Sequence, residues 1–173
     1  MKDHADQELF SRLLLLDGPS LPGRLKFRPL QRNDWQREFN ALLNCLSGEE
    51  YTLNKQDFEA RFDLIQSTLP KSYFIVVIED SVTKEIIACG TVFIEYKFLK
   101  SASKAAHIED IVVAKSYRGK NIGKLLGLIE MLCKIAKTEK CYKIVLDCKE
   151  NNIEFYKKCN FKATGIEMKQ YIS

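Results

Sequence analysis

Leu-Lys-Phe-Arg-Pro-Leu at 25–30 alternates apolar and polar positions up to a proline, which predicts a short strand. Asn33 or Asp34 then stands where a helix cap is expected, ahead of Trp35, Phe39, Leu42, Leu43 and Leu46 at helical spacing. Ser-Gly-Glu-Glu-Tyr-Thr-Leu-Asn at 47–54 breaks that helix, and a second one is predicted over 54–69, stopped by Pro70. From residue 73 the helical period gives way to apolar runs at 73–80, 85–96 and 107–114, the first two joined by 81–84 as a hairpin. These are consecutive strands with short connections, hence an antiparallel meander. A strong amphipathic helix follows, with Ile122, Leu125, Leu126, Ile129, Leu132, Cys133 and Ala136 on one stripe. Residues 141–148 are apolar enough for a strand buried on both faces, which suits parallel pairing across a helical crossover. A short helix over 151–159 and a last strand over 161–172 complete the order β-α-α-β-β-β-α-β-α-β. That order predicts an α/β fold with a mixed central sheet and one crossover helix.

Composition narrows this picture. At 173 residues and 46% hydrophobic content the chain fits one domain with a sizeable core. Residues 1–23, ending in the Gly/Pro-rich DGPSLPG, read as an extension with a short amphipathic helix over 8–16, and 24–173 as the domain proper. The 27 basic and 23 acidic residues leave a formal charge of +4, too mild to point to nucleic acid, and the lysines are not interleaved with exposed aromatics. No segment approaches the apolar length of a membrane span, and the run Leu13 to Leu16 is too short for a signal-peptide core. Six cysteines without a CxxC pair read as reduced thiols of a cytoplasmic protein. Two histidines, His4 and His107, leave no basis for a His-rich metal site, so no metal is expected.

The candidate chemistry begins at Tyr-Arg-Gly-Lys-Asn-Ile-Gly-Lys-Leu-Leu, 117–126, where two glycines and three cations open the amphipathic helix. The first turn of a helix presents unpaired N–H groups at the positive end of its dipole, and glycines let a phosphate approach the backbone. A pyrophosphate is the natural occupant. The loop is not a nucleotide P-loop, because Leu125 stands where Ser or Thr should follow Lys124. A plain basic helix cap with solvated lysines is the competing reading.

Arg118, Gly119, Lys120, Asn121, Ile122 and Gly123, following the strand at 109–114, resemble the R/Q-x-x-G-x-G/A loop with which GNAT-superfamily N-acetyltransferases hold acetyl-CoA. More narrowly, the segments HIEDIVV, YRGKNIGKLL, CYKIVLDC, NIEFYKKCNF and GIEM together resemble the glucosamine-6-phosphate N-acetyltransferases, from residue 27 to about 170. The resemblance implies the GNAT fold, its sheet splayed between strands 4 and 5. It implies pantetheine pairing on Ile111, Val112 and Val113 and a diphosphate on the N–H groups up to Lys124. Asn152 would lie beside the pantetheine and Tyr156 near the thioester sulfur, where its O–H could serve the departing thiolate. Glu109, Asp110 and Asp147 match the carboxylates that position the sugar and its amine, with Glu109 and Asp147 able to accept the amine's proton. Ser47, Lys97, Phe98, Leu99, Lys100, Ile111, Tyr142, Lys143 and Lys169 fall on segments that match the sugar-phosphate site. The implied activity is acetyl transfer to the 2-amino group of D-glucosamine 6-phosphate in a ternary complex, by a homodimer serving UDP-N-acetylglucosamine synthesis.

The sequence departs from the family near its C-terminus, where 167–173 carries no arginine for the 6-phosphate and Lys100 replaces a histidine. A dianion needs cationic donors but not one particular cation, so a site redistributed over lysines is expected. Three other readings stay open: acetylation of another amine, such as a polyamine or a protein N-terminus; a non-catalytic acyl-CoA-binding module; and a covalent route through Cys148. His107, one step before the Glu109–Asp110 pair, reads as a strand residue facing the pocket wall.

Overall fold

The computed structural model describes residues 7–36, 39–48, 50–117 and 122–172, with side chains described for all of these except 122–126. Alternation at 25–30 produces β1 (Leu25–Pro29), and the apolar runs that follow produce β2 (Tyr73–Asp80), β3 (Ile86–Tyr96) and β4 (Lys104–Val113). All three successive pairings are antiparallel, as expected of a meander. Helix α4 (Ile122–Thr138) crosses over to β5 (Cys141–Val145), which pairs parallel with β4 and completes a five-stranded mixed sheet, β1-β2-β3-β4-β5. Of the stripe expected on α4, Ile129, Leu132 and Ala136 are buried and Cys133 is half-buried, while the side chains of Ile122, Leu125 and Leu126 lie outside those described; Leu128 and Ile135, not on that stripe, are wholly buried beside them. Before the meander come α1 (Phe39–Ser47) and α2 (Lys55–Ser67), the latter capped by the Asn54 side chain on the Asp57 N–H. A single turn, α3 (Leu99–Ala102), joins β3 to β4, and α5 (Ile153–Lys158) follows β5.

Four elements differ from their sequence-based expectation, each for a local reason. Asp34 does not cap α1: it is fully buried in a 3₁₀ turn, where both carboxylate oxygens take the fork of Arg28 at 2.7 and 2.9 Å and one also accepts the Gln31 N–H. The helix expected over 8–16 shrinks to a 3₁₀ turn at Arg12–Leu15, because the residues before it are spent in an extended bridge. Leu9 donates its N–H to the Leu30 carbonyl at 2.9 Å, and Phe10 packs edge-on to Phe74 with 5.3 Å between ring centroids. Leu9, Phe10 and Leu15 are buried, so residues 7–15 complete the core over β1 and β2. β5 is not buried on both faces: Tyr142 and Lys143 are exposed, since β5 is the edge strand of this chain's own sheet. The strand expected over 161–172 has no ladder among the described residues. An extended segment becomes a strand only with a partner, and here Ile166, Met168, Tyr171 and Ile172 lie in the open.

The sheet is interrupted where the site forms. Register slips between Cys89 and Thr91 on β3, opposite Asp110, whose φ of 52° is left-handed. Gly90 stands at that slip because α4 presses on it: a Cβ there would lie 2.8 Å from Leu132 Cδ1. On the far side, β4 pairs with β5 only from Lys104 to His107. From Ile108 to Val112 the outer edge of β4 carries no strand among the described residues, so strands 4 and 5 part as expected.

Candidate active site

The parting of β4 from β5 leaves an open strand edge whose N–H and C=O groups are a template for an extended amide-bearing chain. Ile111 and Val113 are half-buried and Val112 is buried, so the edge is rigidly backed. After β5 comes α5, entered through a 3₁₀ turn at Glu150–Asn152 that places Asn152 at its N-terminus. Tyr156 is half-buried there, its ring edge-on to Phe155 at 5.2 Å and to Phe161 at 6.1 Å. Burial pushes its phenol above the ordinary value, and Cys148 and Cys159 push the same way. Tyr156 is therefore a protonated donor at neutral pH. Of the glycine loop, Arg118, Gly119, Lys120 and Asn121 lie outside the described residues. Ile122, Gly123 and Lys124 form the first turn of α4, which supplies the N-terminal N–H groups that the anion reading requires.

Carboxylates gather at the other mouth of the gap. Glu109 and Asp110 sit on β4 where it leaves β5, and Asp147 lies two residues past the end of β5. Partial burial raises the Glu109 pKa, and the nearby charges of Asp110 and Asp147 raise it further. Asp110 is raised by burial. The arrangement is electronegative and able both to attract an ammonium group and to take a proton from it. Two members escaped sequence reasoning. Glu167 on the C-terminal segment also acts on Glu109, and Glu95 on β3 hydrogen-bonds His107 Nε2 at 2.9 Å. Glu95 was detectable through the strand register, which makes it a diagonal neighbour of His107, but nothing in the sequence pins Glu167 to the site.

The predicted sugar-phosphate residues divide into two groups. Lys97 is paired with Glu95, and Lys169 with Glu167 at 3.0 Å. Lys143 lies over the Tyr142 ring at 5.6 Å, and Ser47 is exposed at the end of α1. Phe98 and Leu99 project from the β3–β4 connection into solvent, and Lys100, Ser101 and Ala102 follow with φ of 55°, 57° and 58°. Three successive left-handed non-glycine residues cost roughly 1–2 kcal/mol each, so this turn is held against its local preference. Among the described residues no cluster of His, Cys, Asp and Glu is suited to a metal. No described helix is long and apolar enough to cross a membrane.

Comparison with known proteins places this geometry. The Acetyltransferase (GNAT) family model matches residues 32–161. Glucosamine 6-phosphate N-acetyltransferase 1 of Dictyostelium discoideum is 42% identical over 148 residues, 86% of this chain and 91% of that protein. The crystal structure of glucosamine-6-phosphate N-acetyltransferase from Arabidopsis thaliana superposes with a TM-score of 0.79 at 37% identity, covering 86% of this chain and 99% of that one. A Trypanosoma brucei acetyltransferase structure superposes at 0.76 with 30% identity, covering 86% and 99%.

Proposed function

Because this chain belongs to the GNAT acetyltransferase family and, within it, to the glucosamine 6-phosphate N-acetyltransferases, we propose that its splayed strand edge and acidic mouth transfer acetyl from acetyl-CoA to the 2-amino group of D-glucosamine 6-phosphate. The observation that carries the assignment of parts is the gap itself. It leaves the β4 edge open beside Glu109, on which Asp147 acts, and Tyr156 is influenced by Cys148, the residue after Asp147.

The residues divide the work. Ile111, Val112 and Val113 offer backbone to the pantetheine arm, Asn152 flanks it, and the loop Arg118, Gly119, Lys120, Asn121, Ile122, Gly123 and Lys124 takes the diphosphate. Glu109 and Asp147 hold the substrate ammonium and accept its proton, because only the neutral amine attacks. As the C–N bond forms and the C–S bond breaks, Tyr156 gives its phenolic proton to the sulfur that leaves. Ser47, Phe98, Leu99, Asp110 and Tyr142 shape the sugar site, with Lys97, Lys100, Lys143 and Lys169 supplying positive charge for the phosphate. Lys100 and Lys143 are the better placed, since Lys97 and Lys169 already serve Glu95 and Glu167. A polyamine acceptor would find these four lysines repulsive. The carboxylate cluster and the half-buried phenol have no purpose in a non-catalytic module.

The apolar C-terminal segment, more than nine-tenths exposed at Ile166, Met168, Tyr171 and Ile172, supports a homodimer in which a partner covers it. All six cysteines are thiols, which suits the cytoplasm. The deciding experiment is thiol release from acetyl-CoA with glucosamine 6-phosphate against free glucosamine. A kcat/KM preference of several orders of magnitude for the phosphorylated sugar is expected, and equal rates would move the enzyme to another amine.

A further inference from the structure

Along one face of β4, His107 separates two carboxylates. The register sets Phe93 opposite His107 and Glu95 opposite Ala105, so Glu95 reaches the imidazole diagonally from the near side. Glu109 stands two residues along the strand on the far side, on the same face, while Ile108 between them is buried toward the other. The ring is fixed from two directions: Nε2 lies 2.9 Å from Glu95 Oε2, and the ring centroid lies 5.9 Å from that of Phe93. The second oxygen of Glu95 is held by Lys97.

We propose that Glu95 and His107 form a positioning pair for Glu109, in which the carboxylate of Glu95 fixes the imidazole on the Glu109 face of β4, so that the protonated ring offsets the acidic mouth and readies Glu109 to accept the substrate's proton. The inference rests on the assignment of Glu109 as proton acceptor. The groups facing Glu109 are Asp110 and His107 from its own strand, Asp147 from beyond β5, and Glu167, itself paired with Lys169, from the C-terminal segment. Only His107 among the named influences on Glu109 opposes the rise in its pKa. Glu95 itself stays ionised below the ordinary carboxyl range, first through Lys97 and then through His107. An ionised carboxylate only accepts, so Nε2 carries the hydrogen in this pair.

The sign follows directly. Removing a positive charge beside a carboxylate raises its pKa, so the acidic limb of the rate profile moves to higher pH. The test is the pH profile of thiol release with glucosamine 6-phosphate for the wild type, His107→Gln, His107→Arg and Glu109→Gln. His107→Gln should lose about threefold to tenfold on the acidic limb, the loss shrinking to under about twofold on the plateau above it, as a limb shift of about half to one unit requires. The KM for acetyl-CoA should stay within about twofold, because the pair lies off the cofactor edge. His107→Arg keeps a cation within reach of Glu95 and should restore the wild-type limb. A uniform loss at every pH would make His107 structural and overturn the proposal, as would a glutamine variant whose limb coincides with the wild type. The wild type gives a readout independent of any variant's folding: His107 is one of two histidines, so its ring resonances are assignable. A ring that stays neutral across the whole acidic limb overturns the pair. Glu109→Gln separates the two levels, since full activity there removes Glu109 as the acceptor, whereas a lost limb there beside an unmoved limb in His107→Gln removes only the positioning pair.

Discussion

Gly90→Ala adds one methyl group at the slip in β3, and its cost can be read from what that methyl meets. It would lie 2.8 Å from Leu132 Cδ1, 3.6 Å from Leu128 Cδ2 and 3.7 Å from Ile111 Cγ1. Carbon atoms pack at about 3.5–4.0 Å, so the first contact is short by about 1 Å and the others are ordinary. Leu132 is wholly buried and cannot swing into solvent. Either its rotamer changes inside a filled core or α4 moves away from β3. Overpacking of this kind costs about 1–3 kcal/mol. For a chain of this length that corresponds to a fall in Tm of about 2–12 °C. The displacement should act on function too, since the first turn of α4 is where the diphosphate is proposed to bind and Ile111 lies on the edge proposed for the pantetheine. Urea unfolding followed by circular dichroism gives the stability change, and calorimetry with acetyl-CoA gives the affinity. The decisive arm is a double-mutant cycle with Leu132→Ala, which removes the atoms in conflict. Leu132→Ala alone should cost about 2–5 kcal/mol, and the pair should cost at least about 1 kcal/mol less than the sum of its parts. A single variant within about 0.5 kcal/mol of wild type, or strictly additive costs, would refute the account of Gly90 as a spacer between β3 and α4.

Three further outcomes follow from the same coordinates. Asp34→Ala strands Arg28 in the core without its 2.7 and 2.9 Å fork and should cost about 3–5 kcal/mol by denaturant midpoint, whereas replacing the whole buried triad, Arg28→Met with Asp34→Leu and Glu79→Leu, should cost much less. Burial alone would raise the Glu79 pKa, but hydrogen bonds from Lys26 and Arg28 more than offset it. Its stabilisation is therefore fully present above the ordinary glutamate range and lost as pH falls through the lowered folded value, so Glu79→Gln should flatten the acid side of a stability–pH curve. Tyr156→Phe removes only the hydroxyl and should lower turnover by about 10²-fold or more while calorimetry shows unchanged acetyl-CoA affinity.

Local pattern carried most of the fold because the meander and its crossover are built from sequence neighbours. The apolar runs gave β2 and β3 close to their observed ends, and the 3.6-residue stripe gave Ile129, Leu132 and Ala136 of the buried face of α4 but not Leu128, Met131 or Ile135. What pattern could not give were partners distant in the chain. Asp34 has the chemistry of a cap, and only the fold shows that the guanidinium of Arg28 claims it first. The apolar residues at 141–145 suggested burial on both faces, yet burial of an edge strand depends on a neighbour that this chain alone does not provide. The same holds for 161–172, whose alternation is real but whose ladder is missing within one chain. At the site, the carboxylates and Tyr156 were legible as residues matching a family pattern. The roles of Glu95 and Glu167 depend on register and on the path of the C-terminal segment, which no local signal encodes.

The break between β4 and β5 also bears on how long the protein lasts. Among the described residues the outer edge of β4 carries no strand from Ile108 to Val112, so its donors and acceptors face water rather than a ladder, and local opening is expected to be easiest there. A co-substrate that pairs along this edge does the work of the missing strand, and by mass action it adds about 2.7 kcal/mol at a hundredfold excess over its Kd. Pulse proteolysis with and without acetyl-CoA should therefore show cleavage slowing as occupancy rises. If the donor binds as proposed, it is a detachable part of the fold, and the enzyme's lifetime would follow how well supplied with that donor the cell is.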